Sequence, residues 1–128
     1  MTIRHHFSPT LFQSSAPFSH VVIAGTIGQV SGLIGQRRDD GGLVGPDIRE
    51  QLQAIFGNLD ALLAEVELSR AAIVSMRVYL LDYVYFEPVN AAFTAYFASP
   101  FPARSTLQVA GLPLGALVQV DATLHVAH

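Results

Sequence analysis

Apolar residues recur at three- and four-residue steps through Ile48, Leu52, Ile55, Leu59, Leu62 and Val66, which is one face of a helix. Pro46 suits the first helical position, and Asp47 and Glu50 suit the positive N-terminal end. A second helix is predicted from Pro88, with Val89, Ala92, Phe93, Tyr96 and Phe97 as its packed stripe and Ser99-Pro100 as its stop. Elsewhere the period is two. Ile3 to Phe7, Phe18 to Ala24, Thr26 to Ser31, Ala72 to Leu81, Ser105 to Ala110 and Ala116 to Val126 read as strands, with Gly25 turning the second into the third. In the fourth, Val74, Met76, Val78 and Leu80 fall on one face and Ser75, Arg77 and Tyr79 on the other. In the last, Val118, Val120, Ala122, Leu124 and Val126 form a core face, while Leu117, Gln119, Asp121, Thr123 and His125 form a polar one.

Strands, helix, strand, helix, strands is the order of an α+β protein with two helices on one face of a single mixed six-stranded sheet. The polar face of the last strand is then a surface that the helices need not cover, and the place to look for a site.

Length and charge sharpen this picture. The 128 residues fit one domain, 1–128, with no repeat or linker. Charged residues are 13% of the chain, about half the usual ~25%, and 51% are apolar. So few charges leave apolar surface to bury against further copies, which points to a homo-oligomer. Seven arginines, no lysine and a net charge of −3 make nucleic acid a poor electrostatic partner. The most apolar stretch, Val21 to Ile34, is short and broken by glycines, so no membrane association is expected. With no cysteine and no signal-like N-terminus, a cytoplasmic protein is expected.

Three segments are more specific. Pro102-Ala-Arg-Ser-Thr106 runs into Leu107-Gln-Val-Ala-Gly-Leu-Pro113 and then Leu117-Val-Gln-Val-Asp-Ala122. Ser31-Gly-Leu-Ile34, Gly41-Gly-Leu-Val-Gly45 and Asp47-Ile-Arg-Glu-Gln51 precede them, with Pro17-Phe-Ser19 and Val89-Asn-Ala91 at further matching places. This resembles the RidA (YjgF/UK114) family, whose C-terminal signature reads P-P-A-R-S-T-hydrophobic-E-V-A-x-L-P followed by V-E-I-E-A. The resemblance runs from about Pro17 to the C-terminus. It implies a chorismate-mutase-like fold, a homotrimer with clefts between subunits, and hydrolysis of 2-aminoacrylate-type enamines and imines to 2-keto acids and ammonia, without metal or organic cofactor.

The resemblance also implies roles for single residues. Arg104 matches the arginine that binds the substrate carboxylate, for which a planar, permanently charged fork is suited; the alternative is an ordinary salt bridge. Ser31 is placed to hydrogen-bond ligand or water. Asn90 lines the site or braces the second helix. Thr106, on Arg104's strand face, lines the cleft or is a routine strand threonine.

Two positions depart from the family. Gln119 stands where a glutamate is thought to activate the hydrolytic water; an amide can hold that water but cannot take its proton. Asp121 lies ~6.5–7 Å further along the same strand face, and either keeps the ordinary role of the family's acidic residue there or stands in for the missing base. Phe18 replaces a tyrosine, keeping the ring and losing the hydroxyl. Leu33 and Gly35 also depart, and the pocket becomes more apolar. His20 is read as either a structural residue or an alternative acid or base. The remaining histidines, His5, His6, His125 and His128, have no metal-ligand spacing. An imine deaminase and a non-catalytic small-carboxylate-binding module both fit these residues. A ribonuclease, an old description attached to the family, fits the charge balance poorly.

Overall fold

The computed structural model describes residues 2–127. Six strands, β1 (Ile3–His6), β2 (Val21–Ala24), β3 (Ile27–Leu33), β4 (Ile73–Leu80), β5 (Ala103–Gln108) and β6 (Val118–His125), form one sheet in the order β1-β2-β3-β6-β4-β5. Every pairing is antiparallel except β4 with β5, which is parallel and therefore needs a crossover. Helix α2 (Phe86–Tyr96) supplies it, and α1 (Ile48–Glu65) links β3 to β4. The expected α+β architecture, two helices on a mixed six-stranded sheet, is what the chain adopts.

The core lies between the helices and one sheet face. Leu52, Ile55, Leu59 and Leu62 of α1 meet Met76, Val78 and Leu80 of β4 and Val118, Val120, Ala122 and Leu124 of β6, all with 2% exposure or less. The alternation read in the last strand thus sorts core from outer face along its whole length.

Several boundaries differ from expectation for identifiable reasons. Asp47, not Pro46, is the boundary of α1. Its carboxylate accepts the Glu50 N–H at 3.2 Å, so it caps the helix, and Pro46 lies outside. The α2 run begins before Pro88 because Asp82 accepts the Val84 N–H at 2.8 Å and starts a 3-10 turn, Tyr83–Tyr85, that feeds the helix. Pro88 then sits in the first turn, where a missing N–H breaks no bond. Val74 is 52% exposed and does not join Met76 and Val78, because a register shift against β6 turns Ile73 inward instead. β2 starts at Val21, which leaves Phe18 and His20 in the preceding loop.

β3 carries the bulge that matters most. Val30 pairs with Ala122 and Leu33 with Val120, so β3 spends one more residue than β6 over that interval. Both Val30 and Leu33 are buried, and Ser31 and Gly32 are pushed out. Gly32 takes φ +72, a left-handed conformation that glycine adopts without penalty, and its N–H reaches the Asp121 carboxylate at 2.8 Å.

Candidate functional site

The candidate residues fall into three groups on one chain. The first is on β5 and α2. Met76 of β4 pairs with Arg104 and Val78 with Thr106, so Arg104 and Thr106 project to the helix side of the sheet. There the Arg104 guanidinium donates from Nη2 to Asn90 Oδ1 at 2.5 Å and from Nε to Thr106 Oγ1 at 3.1 Å. Its carbon lies 4.8 Å from the Phe93 ring centroid and 5.5 Å from that of Phe86. Burial pulls its pKa below the usual guanidinium value, yet it stays charged at any ordinary pH. Among the described residues no carboxylate pairs with it; the ion pairs join His6 to Glu65, Arg37 to Asp40, Arg70 to Asp60 and Arg77 to Asp121. A half-buried cation held only by neutral oxygens and ring faces retains donors for an anion. Asn90 braces this cation instead of capping α2, whose cap position is Tyr85.

The second group surrounds Phe18, 45% exposed, beside the β3 bulge. Its ring meets the His20 ring edge-on at 5.1 Å and lies 5.7 Å from Phe7, which is in turn 4.5 Å from His20. Phe18, His20, Ser31, Gly32, Leu11 and Phe12 contribute to the wall of a small cavity of about 40 Å³. Beneath it runs a polar network that sequence reasoning missed. Ser8, fully buried, donates its backbone N–H to His20 Nδ1 at 2.8 Å. Its hydroxyl donates to Glu65 Oε2 at 3.0 Å and accepts from the Thr10 and Leu11 N–H groups at 3.0 and 3.1 Å. Glu65 Oε1 holds His6 Nε2 at 2.7 Å. Burial disfavours the Glu65 carboxylate, but its hydrogen bonds from His6, Ser8 and Thr10 outweigh this and leave its pKa lowered. The serine before Pro9 was the available signal, since serine hydroxyls accept from N–H groups two and three residues on.

The third group is on the opposite sheet face. Gln119 is half-buried and pairs with Tyr79 of β4, whose side chain points away from the helices. Asp121 accepts the Gly32 N–H on Oδ1 and the Tyr79 hydroxyl on Oδ2 at 3.0 Å, with Arg77 Nε 3.9 Å away. Its carboxylate is therefore occupied in pinning the bulge. Burial first, and then the Asp121 carboxylate, raise the Tyr79 pKa, so Tyr79 remains a donor.

Within one chain the second and third groups meet, through the Gly32 N–H on the Asp121 carboxylate, but the Arg104 group stays apart from both. β3 and β5 are separated by β6 and β4, three strand spacings or roughly 14 Å. Arg104 and Gln119 also face opposite sides of the sheet. The larger hollows, of about 590 and 620 Å³, lie elsewhere: one between α1 and α2 around Phe56 and Tyr96, the other beside Phe97 and Phe101. Neither contains a candidate residue, and neither gathers the chemistry that the three groups carry.

The fold and these groupings define a small α+β protein with a two-helix-covered mixed sheet. A family model described as Endoribonuclease L-PSP matches residues 9–126. The chain belongs to that family, whose members also carry RidA, RutC and UK114 names. It is 31% identical over 114 residues to the 2-iminobutanoate/2-iminopropanoate deaminase of Dermatophagoides farinae, covering 89% of each chain. It is 30% identical over 105 residues to the chloroplastic Reactive Intermediate Deaminase A of Arabidopsis thaliana, covering 82% of this chain and 56% of that longer protein. The crystal structure of the Rid-family protein YyfA from Yersinia pestis, described as of unknown function, superposes with a TM-score of 0.93 at 29% identity, covering 98% and 100% of the two chains. No helix among the described residues is long and apolar enough to cross a membrane.

Proposed function

We propose that this protein is a hydrolytic deaminase of reactive 2-imino acids and their enamine tautomers, releasing 2-keto acids and ammonia. The observation that carries this reading is Arg104, a half-buried cation with no carboxylate partner among the described residues, braced at Nε by Thr106 and at Nη2 by Asn90 and keeping its remaining N–H donors for an anion. Because the Arg104 group lies apart from the other two on one chain, the reading includes a homotrimer, in which Arg104 faces the Phe18, Ser31 and Gln119 side of a neighbouring subunit. It also includes a cytoplasmic location and no cofactor.

The chemistry asks little of the protein. Arg104 binds the carboxylate and fixes the imine carbon. Gln119 and Ser31 hold a water by hydrogen bonds. The water oxygen adds to the imine carbon, one water proton passes to the nitrogen, and the resulting carbinolamine collapses to the keto acid and ammonia. Gln119 cannot take a proton, so the basic nitrogen of the substrate receives it. The amide at position 119 is also the specific observation that favours a second reading, a small-carboxylate-binding module without turnover. The ribonuclease in the family's description is not carried over, since a net charge of −3 repels a polyanion.

The test is ammonia and keto-acid release from freshly generated 2-aminoacrylate, comparing wild type with Arg104→Ala in protein shown by light scattering to be assembled. Acceleration over the uncatalysed rate is expected. Losing a charged hydrogen bond, about 1.5–3 kcal/mol, lowers affinity roughly 10- to 150-fold in Arg104→Ala. Ligand binding without acceleration would leave the binding module standing.

A further inference from the structure

Among the described residues His20 is the one buried imidazole, and its hydrogen bond reveals its tautomer. The Ser8 donor is a backbone N–H, so Nδ1 must be the acceptor and the ring proton must sit on Nε2. The ring is 5% exposed and lies against both Phe7 and Phe18. Phe18 sits in a loop outside any strand, so no sheet ladder fixes it. Its own N–H bonds only to the nearby Ala16 carbonyl. Its ring lies in the aromatic stack, and His20 ties that stack to the rest of the fold by its own N–H, which donates to the His6 carbonyl at 2.9 Å, and by its ring. The anchor runs through Ser8 to Glu65 at the end of α1 and to His6 on β1.

We propose that His20 is the positioning residue of the Phe18 wall: the neutral imidazole, held at Nδ1 by the Ser8 N–H, seats Phe18 over the Ser31 cavity, and a proton on Nδ1 unseats it. The role rests on the proposed site, because Phe18 and Ser31 matter to a ligand only if that cleft binds one. It differs from acid–base chemistry, since His20 acts through its contact with the Phe18 ring.

A proton on Nδ1 places two N–H donors face to face and removes the bond that ties the loop to the ring. Burial lowers the His20 pKa, the Glu65 carboxylate on α1 opposes that, and His6 on β1 adds to it. On β3 and the loop beyond it, the cavity wall offers the neutral Ser31 and Gln36. Arg38 reaches the far wall through Asn58, donating from Nε at 2.9 Å. The neutral form is the native one. The unfolded chain takes up this proton first, near pH 6.5, so the arrangement is fully held above that pH and weakens as pH falls towards the lower native pKa.

The experiment is an NMR titration from pH 8 to 5 of the assembled protein, carrying labelled histidine and phenylalanine, with pyruvate affinity measured at both ends. Phe18 ring resonances are expected to move with the same midpoint as His20, below 6.5. Pyruvate affinity should fall at least threefold more in wild type than in His20→Gln, whose side-chain oxygen still accepts the Ser8 N–H but does not titrate. The His20→Gln ring signals should stay constant over the range. Phe18 resonances that stay fixed while His20 titrates would overturn the proposal. So would an equal loss of pyruvate affinity in both proteins. If pyruvate binds neither protein at any pH, the proposed function fails, and the wild-type titration alone still decides the positioning role.

Discussion

The Arg104 end and the Phe18 end of the sheet are held in opposite ways. Around Phe18 the polar groups bond to one another: Ser8 uses its N–H and its hydroxyl, and Glu65 uses both oxygens. Around Arg104 the partners are neutral and few, and among the described residues no carboxylate pairs with the charge. A closed network holds its own residues in place. An open one, kept half-buried at the cost of desolvation, states that something else completes it. Both ends are ordered, but only one is unfinished.

The strongest way to break that contrast lies between the two ends. Gln119→Glu restores a proton acceptor, and 2-aminoacrylate turnover should rise by roughly 100- to 10,000-fold if the water is already seated there. An unchanged rate would mean that the unfinished end completes a different reaction, or none. Arg104→Ala comes next, with the 10- to 150-fold loss given above and little change in denaturation midpoint, because its removal leaves no buried charge alone. Ser8→Ala sharpens the other side. It strips an acceptor from the Thr10 and Leu11 N–H groups and a donor from Glu65, so unfolding should become easier by about 1–3 kcal/mol in urea. Carboxylate binding measured well below the unfolding midpoint should change less than in Arg104→Ala. The smallest effect belongs to Asp121→Asn. The amide oxygen still accepts the Gly32 N–H, so turnover should stay within about threefold, whereas a loss of 100-fold would identify Asp121 as the general base.

How much of this was legible in the chain follows the range of each signal. The α1 stripe and the β6 alternation are local periods; the alternation sorted inner from outer residues along β6, while the α1 stripe left out Gln51, Phe56, Asn58 and Leu63, which are buried as well. Val74 was misplaced because a bulge breaks the period of two, and nothing in Ala72 to Leu81 marks it. The motif from Pro102 to Thr106 pointed to Arg104 and put Thr106 on the same strand face. It could not say that this face is the one opposite Gln119. Parity within β5 is a property of β5; matching it to β6 needs the intervening β4, and that pairing is a tertiary fact. The Ser8–Glu65 bond joins residues 57 apart in the chain and has no spacing to betray it. Asp121's role in holding Gly32 is hidden for the same reason, across 89 residues.

The place of β6 in the sheet also sets a timetable. β3 and β4 share no ladder; each borders β6, the last of these six strands to be synthesised. Until then the nascent chain holds a three-stranded meander and a separate β4–α2–β5 unit, with no backbone ladder between them. The sheet closes by threading its final strand into a waiting gap, as a keystone closes an arch. A ribosome stalled after β5 would therefore display two apolar half-sheets, each a target for chaperone or protease, and no shortened version of the closed sheet.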